Sequence, residues 1–300
     1  MTLAIVWHPD YMAPLRAGHR FPMSKYGYLR AALQARALLP ETGGYLSPAE
    51  APIPVVAAVH DFDYVTRVAT QTLSRDEERL IGLPGTAAVA RRAFLSAAGT
   101  LLAGRLALDR GIACNMAGGS HHAGPDGGAG FCVFNDVAVA VRALLDEGRV
   151  ARALIVDCDV HQGDGTARIF ARDPAVLTLS LHAERNYPVR KALSDLDFPL
   201  PDNLADTPYL EVLAHALDRA AEFAPDIVFY NAGVDPHADD RLGRLALTDA
   251  GLRARDAMVI GWARGRGVPV TGVLGGGYDS DPDRLAGKHA ILFEEAARHA

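Results

Sequence analysis

The chain has 300 residues, 49% of them hydrophobic and 22% charged, with a formal net charge of −6. Those proportions suit one large α/β unit with a substantial core, and the negative balance argues against nucleic acid as a partner. No apolar run approaches the roughly 18–20 residues that span a bilayer.

Leu3–Trp7 reads as a first strand. The apolar run from Met1 to Trp7 is too short for a signal peptide and has no basic leader, so the expected location is the cytoplasm. His8 to Ser24 is broken by Pro and Gly and reads as a loop, whereas Tyr26–Leu39 has helical spacing and ends before Pro40. Glu41 to Pro54 is rich in Gly and Pro and is expected on the surface. Val55–Val59 follows as a short strand and His60–Ala69 as a short helix. One long alanine-rich helix, or a pair, runs from about Thr86 to Asp109 and is closed by Gly111. Ile112–Met116 is strand-like and leads into a glycine-rich run, Ala117 to Phe131, that carries His121-His122 and Gly130-Phe131. Asn135 is placed to N-cap a helix whose apolar face is Val137, Val141, Leu144 and Leu145.

The stretch Leu154-Ile155-Val156-Asp157-Cys158-Asp159-Val160-His161-Gln162-Gly163-Asp164-Gly165 is the most informative. Branched apolar residues predict a buried strand that ends at the glycines. On an extended backbone Asp157, Asp159 and His161 point to one side and Cys158 to the other. Two carboxylates and an imidazole there suit a divalent metal. Cys114, Cys132 and Cys158 are odd in number and widely spaced, which predicts reduced thiols.

Further strands are expected at Val176–Leu181, Ile227–Tyr230 and Val268–Leu274. Helices are expected from Pro208 to about Phe223, from Thr248 to about Arg264, and from Pro282 onward. Strand and helix alternate from about residue 112, which predicts a mostly parallel sheet with helices on both faces. The unusual polar residues His121/His122, Asp157–His161, His182, Asp235 and Tyr278 follow strands, and ligands of open α/β sheets bind at the carboxyl ends of strands.

Asp235 can complete a ligand set with Asp159 and His161 that leaves positions open for water and substrate; His237 is the rival ligand. The leftover carboxylates Asp157 and Asp164 can hold His121 and His122, raising their pKa values for proton transfer. Gly275-Gly276-Gly277 fits neither phosphate-binding spacing and instead permits close backbone approach, leaving Tyr278 to donate to a developing oxyanion. Phe131 lines a hydrophobic slot or belongs to the core, with Tyr187 as the opposing wall. Gly233 and Gly276 let a thin chain pass.

Together His121-His122-Ala123, Gly130-Phe131-Cys132, Asp157-x-Asp159-x-His161-x-Gly163-Asp164-Gly165, Asp235 and Gly275-Gly276-Gly277-Tyr278 resemble the zinc-dependent histone deacetylase superfamily, the arginase-like deacetylases, over almost the whole chain. Gln162, Asn186-Tyr187-Pro188, Asp195-Leu196-Asp197 and Asp240-Arg241-Leu242-Gly243 look most like its class IV branch and bacterial relatives. The resemblance implies a single catalytic domain over 1–300, a three-layer α/β/α architecture with about eight parallel strands, and amide hydrolysis at a zinc held by Asp159, His161 and Asp235. It implies His121 and His122 as the acid/base pair backed by Asp157 and Asp164. Tyr278 would polarise the acyl carbonyl, and Gly130, Phe131, Tyr187 and Gly276 would line the substrate tunnel. It also implies a potassium ion at Asp157, Asp159, His161, Ser180 and Leu181. Relatives carry a peptide-gripping aspartate on a rim loop; the corresponding Ile81-Gly82-Leu83-Pro84 has no acid.

The expected substrate is an acylated lysine of a peptide or protein; the alternative is an acetylpolyamine or another small amide. The negative balance suits a cationic carrier of either kind. A non-catalytic acyl-lysine binder would lack ligands, and none is missing, while a two-metal hydrolase would need more bridging carboxylates. Acyl length, oligomeric state and the choice between zinc and iron(II) are not written in the sequence.

Overall fold

Short, mostly apolar runs supply the strands of one sheet: β1 (Ala4–Val6), β2 (Ile112–Asn115), β3 (Ala153–Asp157), β4 (Val176–Ala183), β5 (Leu196–Leu200), β6 (Ile227–Asn231) and β7 (Val270–Val273). This computed structural model describes residues 2–39 and 43–300. The strand order is β1-β2-β7-β6-β3-β4-β5 and every neighbouring pair is parallel. Seven strands therefore stand where about eight were expected, among the described residues.

The helices are α1 (Lys25–Ala35), α2 (Ile53–Val56), α3 (Phe62–Ala69), α4 (Arg75–Ile81), α5 (Ala87–Arg110), α6 (Asp136–Asp146), α7 (Asp164–Phe170), α8 (Asp206–Ala220), α9 (Asp249–Arg264) and α10 (Pro282–Ala297). Side chains alternate across a strand, so the central strands feed two cores. Leu154, Val156, Val228 and Tyr230 pack with Leu213 of α8, Leu252 and Val259 of α9 and Leu292 of α10. Ile155, Ile227 and Phe229 face the other way, onto Leu101 of α5 and Val137, Val141 and Leu144 of α6. Burial on both faces is why these strands read as unbroken apolar runs.

Caps fix several helix starts. Thr86, Asn135 and Thr248 accept the backbone N–H of Val89, Ala138 and Gly251. The loop expected from Glu41 begins outside the described residues, and its part from Tyr45 touches the sheet through Leu46, which bridges Val6.

One local expectation changes, and three elements appear where the sequence reading placed none. Val55–Val59 is not a strand: Pro52 stands extended at the N-cap, Pro54 presets the φ of a helical first turn, and α2 forms. Helix α4 is present with a full capping box, Ser74 to Glu77, a signal the sequence carried in Ser74-x-x-Glu77. Helix α7 starts at Asp164, directly after the glycine turn. Strand β5 is an edge strand containing Pro199, which pairs along its other side only with β4.

Candidate active site

Five loops leave the carboxyl ends of β2, β3, β4, β6 and β7 on one rim, and each sends a side chain to the same place. The β3 loop matters most. The strand stops at Asp157 rather than running extended to His161, so Asp157 does not share a point with Asp159 and His161. The bend turns Asp159 and His161 toward Asp235 from the β6 loop. Ligand-type atoms of Asp159, His161 and Asp235 lie within 4.8 Å of one another, all buried. His161 Nδ1 stands 3.0 Å from Asp159 Oδ1 and 3.1 Å from Asp235 Oδ2.

One imidazole proton cannot satisfy two carboxylates that are 1% and 0% exposed. Burial, together with the Asp159 charge, presses the Asp235 carboxyl upward from its usual range. This O,N,O set of buried donors with excess negative charge fits a divalent cation such as zinc. The backbone makes room for it. Gly276 N–H donates to Asp159 Oδ2 at 2.6 Å, and a Cβ on Gly276 would collide with Asp235 Oδ2 and Asp159 Oδ2. His237 is elsewhere, accepting the Asp239 N–H through Nδ1, and His182 is buried within β4 beside Ser180.

The histidine pair stands beside this triad, ring centroids 4.1 Å apart. His121 Nδ1 donates to Asp157 Oδ2 and His122 Nδ1 to Asp164 Oδ1, each at 2.7 Å. Both Nε2 atoms are thereby left for chemistry. The two imidazoles differ in charge preference. Burial opposes protonation of His121, but the Asp157 and Asp159 carboxylates outweigh it and lift its pKa to about 9. Burial and the neighbouring His121 charge push His122 down to about 3. The expectation that a carboxylate raises both values therefore holds for His121 alone. Two titratable groups pushed apart in this way are suited to divide acid and base roles.

Aromatic rings complete the approach. Tyr187, from the β4 loop, stands edge-on to His122 at 4.7 Å between centroids, and Phe131 lies 5.9 Å from Tyr278 and 5.5 Å from Phe21. Tyr278 also meets the His161 ring, 6.4 Å away. Loss of solvent and the nearby Asp235 and Asp159 charges hold the Tyr278 phenol well above its usual pKa, so it stays a proton donor. Phe131 thus lines the site rather than the core interior. A cavity of about 30 Å³, touched by His121, His122, Asp159, Gly276, Phe131 and Tyr278, lies at the meeting point.

Several supporting residues had no role in the sequence reading. Asn231 Nδ2 donates to Asp157 Oδ1 at 3.0 Å, and Asp136 accepts the Gly119 and Ser120 N–H groups, pinning the start of the histidine loop. Lys25, 1% exposed, donates from Nζ to Gly275 O at 3.0 Å. Arg255 is fully buried and donates to the carbonyls of Gly233 and Cys158, bracing the two ligand loops. Its signal was present: Arg255 falls between Leu252 and Val259 on the apolar stripe of α9, where an arginine needs a reason. All three cysteines are free and buried. No helix among the described residues is long and apolar enough to cross a membrane.

Comparison with known proteins points one way. A family model described as the histone deacetylase domain matches residues 19–292. An uncharacterized protein of Picosynechococcus sp. is 45% identical over 297 residues, covering 99% of each chain. A probable deacetylase of Methanothermobacter thermautotrophicus is 30% identical over 97% of this chain and 89% of its own. The crystal structure of an acetylpolyamine aminohydrolase from Burkholderia pseudomallei is similar with a TM-score of 0.77 at 25% identity, covering 98% of both chains.

Proposed function

The chain belongs to the histone deacetylase family, and from that premise we propose that it is a zinc-dependent amidohydrolase, a single catalytic domain that removes acetyl or longer acyl groups from lysine-type amines. One observation carries the reading: Asp159, His161 and Asp235 meet within 4.8 Å beside two histidines that each have their own carboxylate. Zinc held by those three residues would supply Lewis-acid activation of water and of the acyl carbonyl.

The chain's own groups do the rest. Phe131 and Tyr187 hold the extended carrier of the amine between them and shed water from it. His122 is uncharged, and its Nε2 lone pair takes the proton of the attacking water. His121 is charged, kept so by Asp157, and hands a proton from Nε2 to the departing amine. The Tyr278 hydroxyl donates to the acyl oxygen as negative charge grows there. Asp164 orients His122 throughout. A potassium ion is assigned on the same family grounds to Asp157, Ser180 and the backbone at Asp159, His161 and Leu181, supported by the register that sets Ser180 opposite Asp157.

The likeness to an acetylpolyamine aminohydrolase over 98% of both chains favours a second reading, an acylated polyamine or other small amide as substrate. The test is hydrolysis of an Nε-acetyl-lysine peptide and of acetylputrescine by zinc-loaded protein. Activity that survives complete chelation sinks the metal-dependent reading, and better turnover of acetylputrescine selects the second.

A further inference from the structure

Building on the deacylase reading above, we propose that the accepted amine carrier is anionic: an acylated amine whose far end bears carboxylate groups. The cavity outside Phe131 and Tyr187, about 450 Å³, is also lined by Arg16, His19, Arg20 and Arg79. An adjoining cavity of about 520 Å³ shares Arg16, His19 and Arg79 and adds Arg75 and Glu78. Four arginines thus stand against one acid at the entrance of a chain whose net charge is −6.

The guanidinium groups are exposed and largely unpaired. Among the described residues no carboxylate pairs with Arg16, Arg20 or Arg75, and Arg79 meets only the exposed Asp76, at 2.8 Å. Glu78 is occupied locally, accepting the Gly85 N–H at 2.5 Å. Unpaired like charges in a groove focus a positive potential that draws anions and repels cations. The arginine fork matches a carboxylate bidentately.

The basic rim is fixed to the tunnel wall. Gly130 and Phe131 donate their N–H groups to the Leu80 and Ile81 carbonyls at 3.2 and 2.7 Å, next in sequence to Arg79. The His19 ring meets Phe131 at 6.2 Å, between Arg16 and Arg20 in the chain. Gly82, at φ +75°, packs where a Cβ would touch Phe131 Cε1 at 3.0 Å, and the cavity shared by Gly82, Phe131 and Tyr187 has no acid among its described lining residues. A polyamine held by the tunnel would thrust its ammonium into this groove. The overall negative charge, which suited a cationic carrier, is therefore the wrong guide at the entrance.

The experiment compares Nε-acetyl-lysine peptides flanked by aspartates, alanines or lysines, together with doubly acetylated lysine bearing a free carboxylate and with acetylputrescine, on zinc-loaded protein. At about 20 mM salt kcat/KM for the aspartate-flanked probe exceeds that for the lysine-flanked one on the order of tenfold. The ratio collapses toward one at about 500 mM. Arg16→Glu combined with Arg20→Glu drives the ratio below one, and the salt series stands alone if that variant does not fold. Doubly acetylated lysine outpacing the aspartate peptide identifies a small anionic carrier; the reverse identifies an acidic peptide. Equal rates on all three peptides, or a preference for lysine flanks or acetylputrescine, overturn the proposal while leaving the deacylase reading intact. Cleavage of no probe, the alanine peptide included, removes the deacylase reading. Affinities of the same probes then decide the charge preference: tighter binding of the aspartate probe supports it, and equal or weaker binding overturns it.

Discussion

The backbone N–H of Tyr278 donates to Asp240 Oδ2 at 2.6 Å, while the other oxygen of the same carboxylate accepts the N–H groups of Leu242 and Gly243. The β6 loop thereby ties down the residue that the β7 loop presents to the site. Three flexible glycines precede Tyr278, so its ring would otherwise be free to swing. Asp240 is held from the protein side, which makes it a positioning residue for the phenol.

Asp240→Asn places an amide nitrogen against the Tyr278 N–H, or loses one of the loop contacts. Turnover is expected to fall about 10- to 100-fold, with zinc affinity retained. Steady-state kinetics alongside a zinc titration checks this, and unchanged kcat removes the positioning role.

Metal binding should couple to stability, because the triad is buried and short of positive charge. Free zinc at a thousandfold above its Kd is expected to stabilise the folded chain by about 4 kcal/mol. Gly276→Ala should abolish that gain without altering any ligand, since its new Cβ meets Asp235 and Asp159 oxygens. Thermal melts of metal-free protein with added zinc give the readout; an undiminished shift in the variant places the ion elsewhere.

Tyr278→Phe removes the hydroxyl proposed to donate to the acyl oxygen, and His122→Ala removes the imidazole proposed to take the proton of water. Each is expected to bind zinc and to lose about 10²- to 10³-fold in kcat. Wild-type turnover in either variant contradicts the assigned role, and calorimetric zinc binding distinguishes lost chemistry from lost metal.

His60 gives a pH signature from outside the Asp159, His161 and Asp235 triad. It is 4% exposed, its Nδ1 lies 2.8 Å from Gly124 O and its Nε2 accepts the Asn135 N–H at 2.9 Å. Burial lowers its pKa from 6.5 to about 4. The folded state therefore binds this proton less readily than the unfolded state. The contribution is fully present above pH 6.5 and is lost as pH falls toward 4, amounting to about 3 kcal/mol. Urea unfolding across that window should show a shallower pH slope in His60→Gln than in wild type; identical slopes exclude His60 as the source.

The sequence by itself determined six of the seven strands among the described residues, most helices and the chemistry on offer. Periodicity in Leu154–Val156 and Ile227–Tyr230 marks buried parallel strands because burial on both faces leaves no room for polar alternation. Clusters such as His121-His122 and Asp157-x-Asp159-x-His161 are legible because polar groups directly after such strands must reach a rim. The short helix α2 and edge strand β5 escaped because a proline-rich turn and a proline-containing edge look alike without their neighbours.

Only the tertiary structure decided which groups meet. The end of β3 at Asp157 sends that carboxylate to His121 and turns Asp159 and His161 toward Asp235, which lies more than seventy residues away in sequence. It also separates the charge states of two adjacent histidines, because burial and a neighbouring charge are properties of packing. The basic entrance arises for the same reason. Arg16 and Arg20 come from the loop before α1 and Arg79 from α4, and net charge says nothing about which of them share a groove.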